Sequence, residues 1–170
     1  MKNYTFLLFP DNTTTDAIIE LREKLVGAKY IDGLLPHLTF KKRFELLNGD
    51  EKYLKDFLEN FNIGKIQASV KELYHWTEVY ALGLESIDLI NYHNRIVADL
   101  KENTMTVEPE HEGVSYKPHI TLVRDIEHNI NLKKQNINIS DITFTKIGLY
   151  EIDSTPARAW SKEILSKDLY

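Results

Sequence analysis

Two short stretches of nearly the same wording hold the residues best suited to chemistry: Pro36-His37-Leu38-Thr39-Phe40 and Pro118-His119-Ile120-Thr121-Leu122. In an extended strand successive side chains alternate between faces. Each stretch therefore sets its histidine and threonine on one surface, with Leu38, Phe40, Ile120 and Leu122 behind. One His-x-Thr arises readily by chance. Two of them, each framed by a proline before and apolar residues between and after, point to a paired site.

An imidazole titrates near ~6.5, so at neutral pH one histidine can be neutral and the other protonated at little cost. If the two strands line one cleft, one histidine takes a proton from an attacking oxygen and the other gives one to a leaving oxygen. Thr39 and Thr121 then donate hydrogen bonds to the non-bridging oxygens of a phosphate ester. The scheme needs no metal and no cofactor. Water as nucleophile would open a 2′,3′-cyclic phosphate, whereas a neighbouring ribose hydroxyl would cleave a linkage. Which histidine is the base stays open at this level.

The elements that must position these residues follow from periodicity. Tyr4 to Phe9 reads as a strand ended by Pro10-Asp11-Asn12. A helix capped within Thr13 to Asp16 carries Ile18, Ile19, Leu21, Leu25 and Val26 and stops at Gly27. A loop through Asp32 and Gly33 leads to the first motif strand, about His37 to Phe44, in which alternation puts Lys41 and Arg43 on the histidine face. Asn48-Gly49-Asp50 introduces a second helix with Tyr53, Leu54, Phe57, Leu58 and Phe61. Ile66, Ala68 and Val70 form a strand that reaches a turn at Tyr74-His75-Trp76 and pairs as a hairpin with Val79 to Leu84. Ser86 caps a third helix bearing Leu89, His93, Ile96, Val97 and Leu100. Residues 104–117 read as an acidic loop with Glu108, Glu110 and Glu112, and as a lid over the cleft. The second motif strand follows, from His119 to about Arg124. Further strands are expected at 137–139, at 142–150 and near 157–165. Strand, helix, strand, helix recurs in each half, and the histidines lie roughly half the chain apart, which outlines an internal duplication.

Composition narrows the setting. A chain of 170 residues, 42% hydrophobic and 28% charged, suits one compact domain or two fused halves. With no cysteine it has no disulfide, no thiolate nucleophile and no cysteine-held metal. The first apolar stretch is too short for a signal sequence or membrane span, so a cytoplasmic protein away from membranes is expected, as a monomer. A net charge of −5 argues against a broad grip on duplex DNA but allows a small phosphorylated ligand.

Leu35 to Phe44 (LPHLTFKKRF) and Tyr116 to Arg124 (YKPHITLVR) resemble the 2H phosphoesterase superfamily, especially its bacterial and phage 2′-5′ RNA ligase-like and cyclic phosphodiesterase-like members. The likeness extends from the opening strand to Tyr150 and Trp160. It implies an α+β fold of two pseudo-symmetric lobes of antiparallel sheet with helices outside and a central cleft, forming a single bilobal domain over residues 1–170. It also implies metal-independent phosphodiesterase chemistry at a ribose 2′ position, with His37, Thr39, His119 and Thr121 as the catalytic set and a nucleotide or short RNA as substrate. Arg124 is a binding candidate that alternation alone puts on the wrong face, so a bulge must intervene. Lys41, Arg43, Tyr116, Trp76 and Tyr80 complete the binding candidates. Tyr74, Trp76 and Tyr80 could form a nucleobase shelf, although Tyr80 in so apolar a strand favours the core.

Blander readings hold elsewhere: His93 as a core residue, His75 as part of a packed loop, His111 in a solvated acidic loop instead of a metal site. Two rival functions remain, an enzyme destroying cyclic oligonucleotide defence signals and a nucleotide-binding module without chemistry. Ligation lacks a nucleotidyl-transfer lysine motif.

Overall fold

The computed structural model describes residues 2–27, 34–76, 79–124, 137–152 and 161–170. The first strand, β1 (Asn3–Pro10), is followed by α1 (Asn12–Val26), β2 (Leu38–Leu46), α2 (Glu51–Asn60), β3 (Ile66–Trp76), β4 (Val79–Glu85), α3 (Ile87–Leu100), β5 (Thr104–Thr106), β6 (His119–Arg124), β7 (Asp141–Ile152) and β8 (Ser161–Asp168). Capping follows local chemistry. Asp11 rather than a threonine caps α1, its carboxylate accepting from Thr14 N at 2.8 Å, and Gly27 at φ 67° ends it. Asp50 and Ser86 cap α2 and α3, the latter as expected.

The strands form one antiparallel, eight-stranded sheet in the order β1-β2-β6-β4-β3-β7-β8, with β5 on β2. The pairing closes on itself, because β7 pairs with β1 (Thr5↔Tyr150) as well as with β3 (Ala68↔Ile142). One face carries the main core: Phe6, Leu8, Leu38, Phe40, Ile120, Leu122, Leu82 and Phe144, with Ile18 and Leu21 of α1, Leu54 and Leu58 of α2, and Leu89, Ile96 and Leu100 of α3 packed against them. Burying each such side chain contributes about 1.5–3 kcal/mol, so this face fixes the register of every strand it touches. The helices thus lie against one face and leave the other to the motif side chains. The α+β class and antiparallel sheet are as expected. No helix among the described residues is long and apolar enough to cross a membrane.

Several boundaries differ from the sequence reading. β3 runs through Trp76, so Tyr74-His75-Trp76 lies in a strand and not in a turn. The pairing of Tyr74 with Ala81 and His75 with Tyr80 outweighs the turn signal. Residues 104–117 are not patternless: β5 pairs with β2, and single 3₁₀ turns form at Pro109–His111 and Gly113–Ser115. Residues 137–140 form no strand, and the last strand begins at Ser161. Asp32, Gly33, Ala157 and Trp160 lie outside the described residues.

Candidate active site

The two motif strands meet through one antiparallel pair, Leu38 with Ile120, both fully buried. Extending this register by one residue sets His37 opposite Thr121 and Thr39 opposite His119. All four then share the face away from the core, related by a local two-fold axis through the Leu38-Ile120 pair. Side chains directly opposite on such strands have Cβ atoms about 4.5–5.5 Å apart. The sheet thus brings together the four residues that the motifs singled out.

Both imidazoles are held in the same way. His37 Nδ1 lies 2.8 Å from the carbonyl oxygen of Leu35, and His119 Nδ1 lies 2.7 Å from that of Lys117. A carbonyl only accepts, so Nδ1 carries the proton in each ring and Nε2 is the nitrogen without one when the ring is neutral. The intervening prolines, Pro36 and Pro118, are buried and fix the backbone that turns each carbonyl back onto the ring. His119 is further enclosed by Trp76, edge-on at 4.8 Å. Burial holds the His119 pKa below the ordinary imidazole value, and the positive charges of Lys42, Arg124 and His111 add to the shift. Phe9 lies 6.1 Å from His37 and packs on Tyr150.

Beneath the motifs, each threonine carbonyl accepts from a group of the opposite half. Tyr116 Oη donates to Thr39 O at 3.2 Å, and Arg22 of α1 donates to Thr121 O at 2.6 Å. Arg22 is buried with Nε and Nη1 unpartnered, and its pKa is lowered to about 10 by desolvation. Tyr116 also stacks on His93 at 3.7 Å. This corrects the reading of Tyr116 as a substrate contact: its ring packs against the core and its hydroxyl braces the first motif. His93 is the core residue expected, donating from Nδ1 to Phe40 O at 2.8 Å and accepting at Nε2 from Gly113 N at 3.2 Å.

Bulges re-aim the remaining candidates. In β2 the register against β1 shifts on both sides of Phe6↔Lys41, and Phe40 and Lys41 are buried in succession. Lys41 therefore leaves the histidine face and turns inward, where Nζ donates to Thr106 Oγ1 at 2.8 Å and pairs with Glu112. Desolvation lowers its pKa despite Glu112. Arg43 is committed at Nε to Asn3 Oδ1 at 2.9 Å, toward the far end of the strand. The equivalent shift in β6 falls between Thr121 and Val123, with Leu122 and Val123 both buried. It supplies the bulge that Arg124 needed to return to the histidine face.

Trp76 reaches His119, whereas Tyr80, opposite the buried Val123, packs with the core and stacks on His75 at 4.3 Å. Tyr80 is thus half-buried against the core, in keeping with its apolar strand. The residue missed by alternation is Lys42, which pairs with Glu108. A signal for it was present: superposing the two motifs puts a cation five residues after each histidine, Lys42 and Arg124. Glu108, Glu110 and His111 place ligand atoms within 4.8 Å of one another, but the cluster is largely exposed and Glu108 is already bound to Lys42.

The arrangement is an α+β fold whose antiparallel sheet presents two His-Thr strands about a local two-fold, the fold expected from the 2H phosphoesterase resemblance. Solved structures carry the same fold. Escherichia coli LigT complexed with 3′-AMP matches with a TM-score of 0.68 at 19% identity, over 99% of this chain and 98% of that one. A structure described as a phosphoesterase matches with a TM-score of 0.69 at 18% identity, over 99% of both chains. The protein TT0787 of Thermus thermophilus matches with a TM-score of 0.66 at 14% identity, over 99% of this chain and 98% of that one. No family model and no curated protein matches the sequence.

Proposed function

We propose that this chain is a metal-independent phosphoesterase acting on 2′,3′-cyclic phosphates or 2′-5′ linkages of nucleotides or short RNA. The observation that carries the reading is the Leu38↔Ile120 register, from which His37, Thr39, His119 and Thr121 fall on one face with both Nδ1 atoms tied to carbonyls. The solved LigT complex with 3′-AMP supports a nucleotide as ligand.

His119, held neutral by burial and neighbouring positive charge, is suited to the base role, and His37 takes the acid role. In hydrolysis of a cyclic phosphate, His119 Nε2 removes a proton from water as the water oxygen bonds to phosphorus. The bond from phosphorus to one ribose oxygen breaks, and the proton on His37 Nε2 passes to that oxygen, leaving a phosphomonoester. Thr39 and Thr121 donate to the non-bridging oxygens, whose negative charge grows in the transition state.

The test is turnover in excess chelator of 2′,3′-cyclic mononucleotides, 2′-5′ and 3′-5′ oligoadenylates and cyclic di- and trinucleotides. The parent is expected to cleave one class and His37→Ala and His119→Ala to lose it. Binding without turnover of any member by the parent would move the chain to the nucleotide-binding modules.

A further inference from the structure

Just after each motif threonine, one extra residue breaks the ladder. It is Phe40 in β2, between the Leu7↔Thr39 and Phe6↔Lys41 pairs, and Leu122 in β6, between the Ala81↔Thr121 and Tyr80↔Val123 pairs. A bulge of this kind bends its strand and re-aims the side chains beside it. The direction of each threonine hydroxyl therefore depends on what fixes the peptide that enters the bulge. In β2 neutral groups do this from the core side: Tyr116 Oη donates to Thr39 O at 3.2 Å, and His93 Nδ1 donates to Phe40 O at 2.8 Å. In β6 it is Arg22 of α1, whose Nη2 donates to Thr121 O at 2.6 Å.

A guanidinium is a costly group for that task. Arg22 is 1% exposed, its Nε and Nη1 have no hydrogen-bond partner, and no carboxylate among the described residues offsets its desolvation. Taking a charge out of water without a counter-ion is destabilising, and an apolar side chain of similar length is often tolerated as well or better. A brace as such needs no charge, as Tyr116 shows. What the guanidinium adds is a stronger, charge-assisted hydrogen bond to the carbonyl. The positive groups that lower the His119 pKa are Lys42, Arg124 and His111, so Arg22 is left to act through the backbone of Thr121.

We infer that Arg22 is a positioning residue for the second motif: from the core side it locks the bulge at Leu122 and so holds the Thr121 hydroxyl on the non-bridging oxygen, and the protein is no more stable for carrying it. This rests on the phosphoesterase reading for what Thr121 touches. A donor aimed at growing charge is worth about 10²-fold in rate, and a displacement of about 1 Å forfeits much of that. Loosening the bulge therefore slows the chemical step and leaves substrate binding in place.

The experiment pairs urea unfolding with steady-state kinetics on Arg22→Met, Arg22→Lys, Thr121→Val, and Arg22→Met combined with Thr121→Val. Arg22→Met is expected to lower kcat about tenfold with KM unchanged, and to leave the urea midpoint level or higher. Arg22→Lys, whose ammonium can still donate to Thr121 O, is expected to recover most of kcat. In the Thr121→Val background Arg22→Met is expected to change kcat by less than about twofold, because the hydroxyl it serves is gone. A lower midpoint or an unfolded Arg22→Met, an unchanged kcat, a raised KM, no recovery in Arg22→Lys, or the full loss persisting without the Thr121 hydroxyl would each overturn the inference. If the parent turns over no substrate, the phosphoesterase reading falls, and the placement of Thr121 is judged by its methyl resonance. Arg22→Met is then expected to shift that signal and leave the Thr39 methyl in place, and an unmoved Thr121 signal overturns the inference.

Discussion

The two halves share a plan and differ in how they carry it out. In both, a buried proline turns a carbonyl onto the histidine ring, a threonine sits two residues on, and a bulge returns a cation to the same face. Around His37, the aromatic neighbour Phe9 comes from the adjacent strand β1 and is backed by Tyr150. Around His119, the corresponding place on β4 is Gly83, where a Cβ would come within 2.7 Å of Tyr74. That slot is filled by the Tyr74 ring and Trp76 from β3. Below the sheet one motif is braced by a neutral phenol and the other by a charged guanidinium. Where the second half buries Val123, the first buries Lys41. Groups set by the backbone match between halves, and groups supplied by surrounding side chains do not. The chemistry can thus be symmetric in placement and unequal in protonation.

The largest effect should fall on the shared plan. His37→Ala and His119→Ala are each expected to lower kcat by about 10²–10⁴-fold, with the double variant little worse than either alone. Rate measurements showing that one histidine is dispensable would break the equivalence. Thr39→Val and Thr121→Val are expected to cost about 10²-fold in kcat, measured with the same substrate.

Stability should separate the halves. Glu112→Gln leaves Lys41 buried without its counter-charge and is expected to destabilise by about 3–5 kcal/mol in urea unfolding. Adding Lys41→Met should restore most of this, since Val123 shows that the equivalent position accepts an apolar side chain. Failure of the second change to rescue would mean that Lys41 does more than fill space. A smaller cost, about 1 kcal/mol, is expected for Tyr116→Phe, which removes only the hydroxyl that braces Thr39.

The smallest effect is a pH shift. Because the folded His119 pKa is lowered, its base form persists below the ordinary ~6.5, so the acidic limb of kcat/KM should lie below that value. Lys42→Gln removes one of the charges that contribute to the lowering and should move the limb upward by a few tenths, about 0.3. A downward move in the pH-rate profile would assign that limb to another group.

The motif residues, the helices and the core stripes were legible because each depends on local periodicity. His93 on its apolar stripe and Ser86 at its cap follow directly from the sequence. What escaped depends on partners far along the chain. Bulges arise from how β2 meets β1 and β6 meets β4, so strict alternation misdirected Lys41 and overlooked Lys42. The same limit hid the Tyr116 brace: proximity in sequence to His119 put it near the site, while stacking on His93 took it to the other face. Arg22 lies outside the apolar stripe read for α1, and its contact with Thr121 goes with its burial.

The closed pairing of the sheet has a consequence for how the molecule is made. β1 lies between β2 and β7, so the strand synthesised first cannot complete its ladder until Tyr150 and its neighbours have emerged. Such distant pairing makes folding slow and leaves an apolar segment, Phe6 to Phe9, waiting with one side unpaired. The two histidines lie on adjacent strands of that circuit, β2 and β6, which can pair only once Ile120 has emerged.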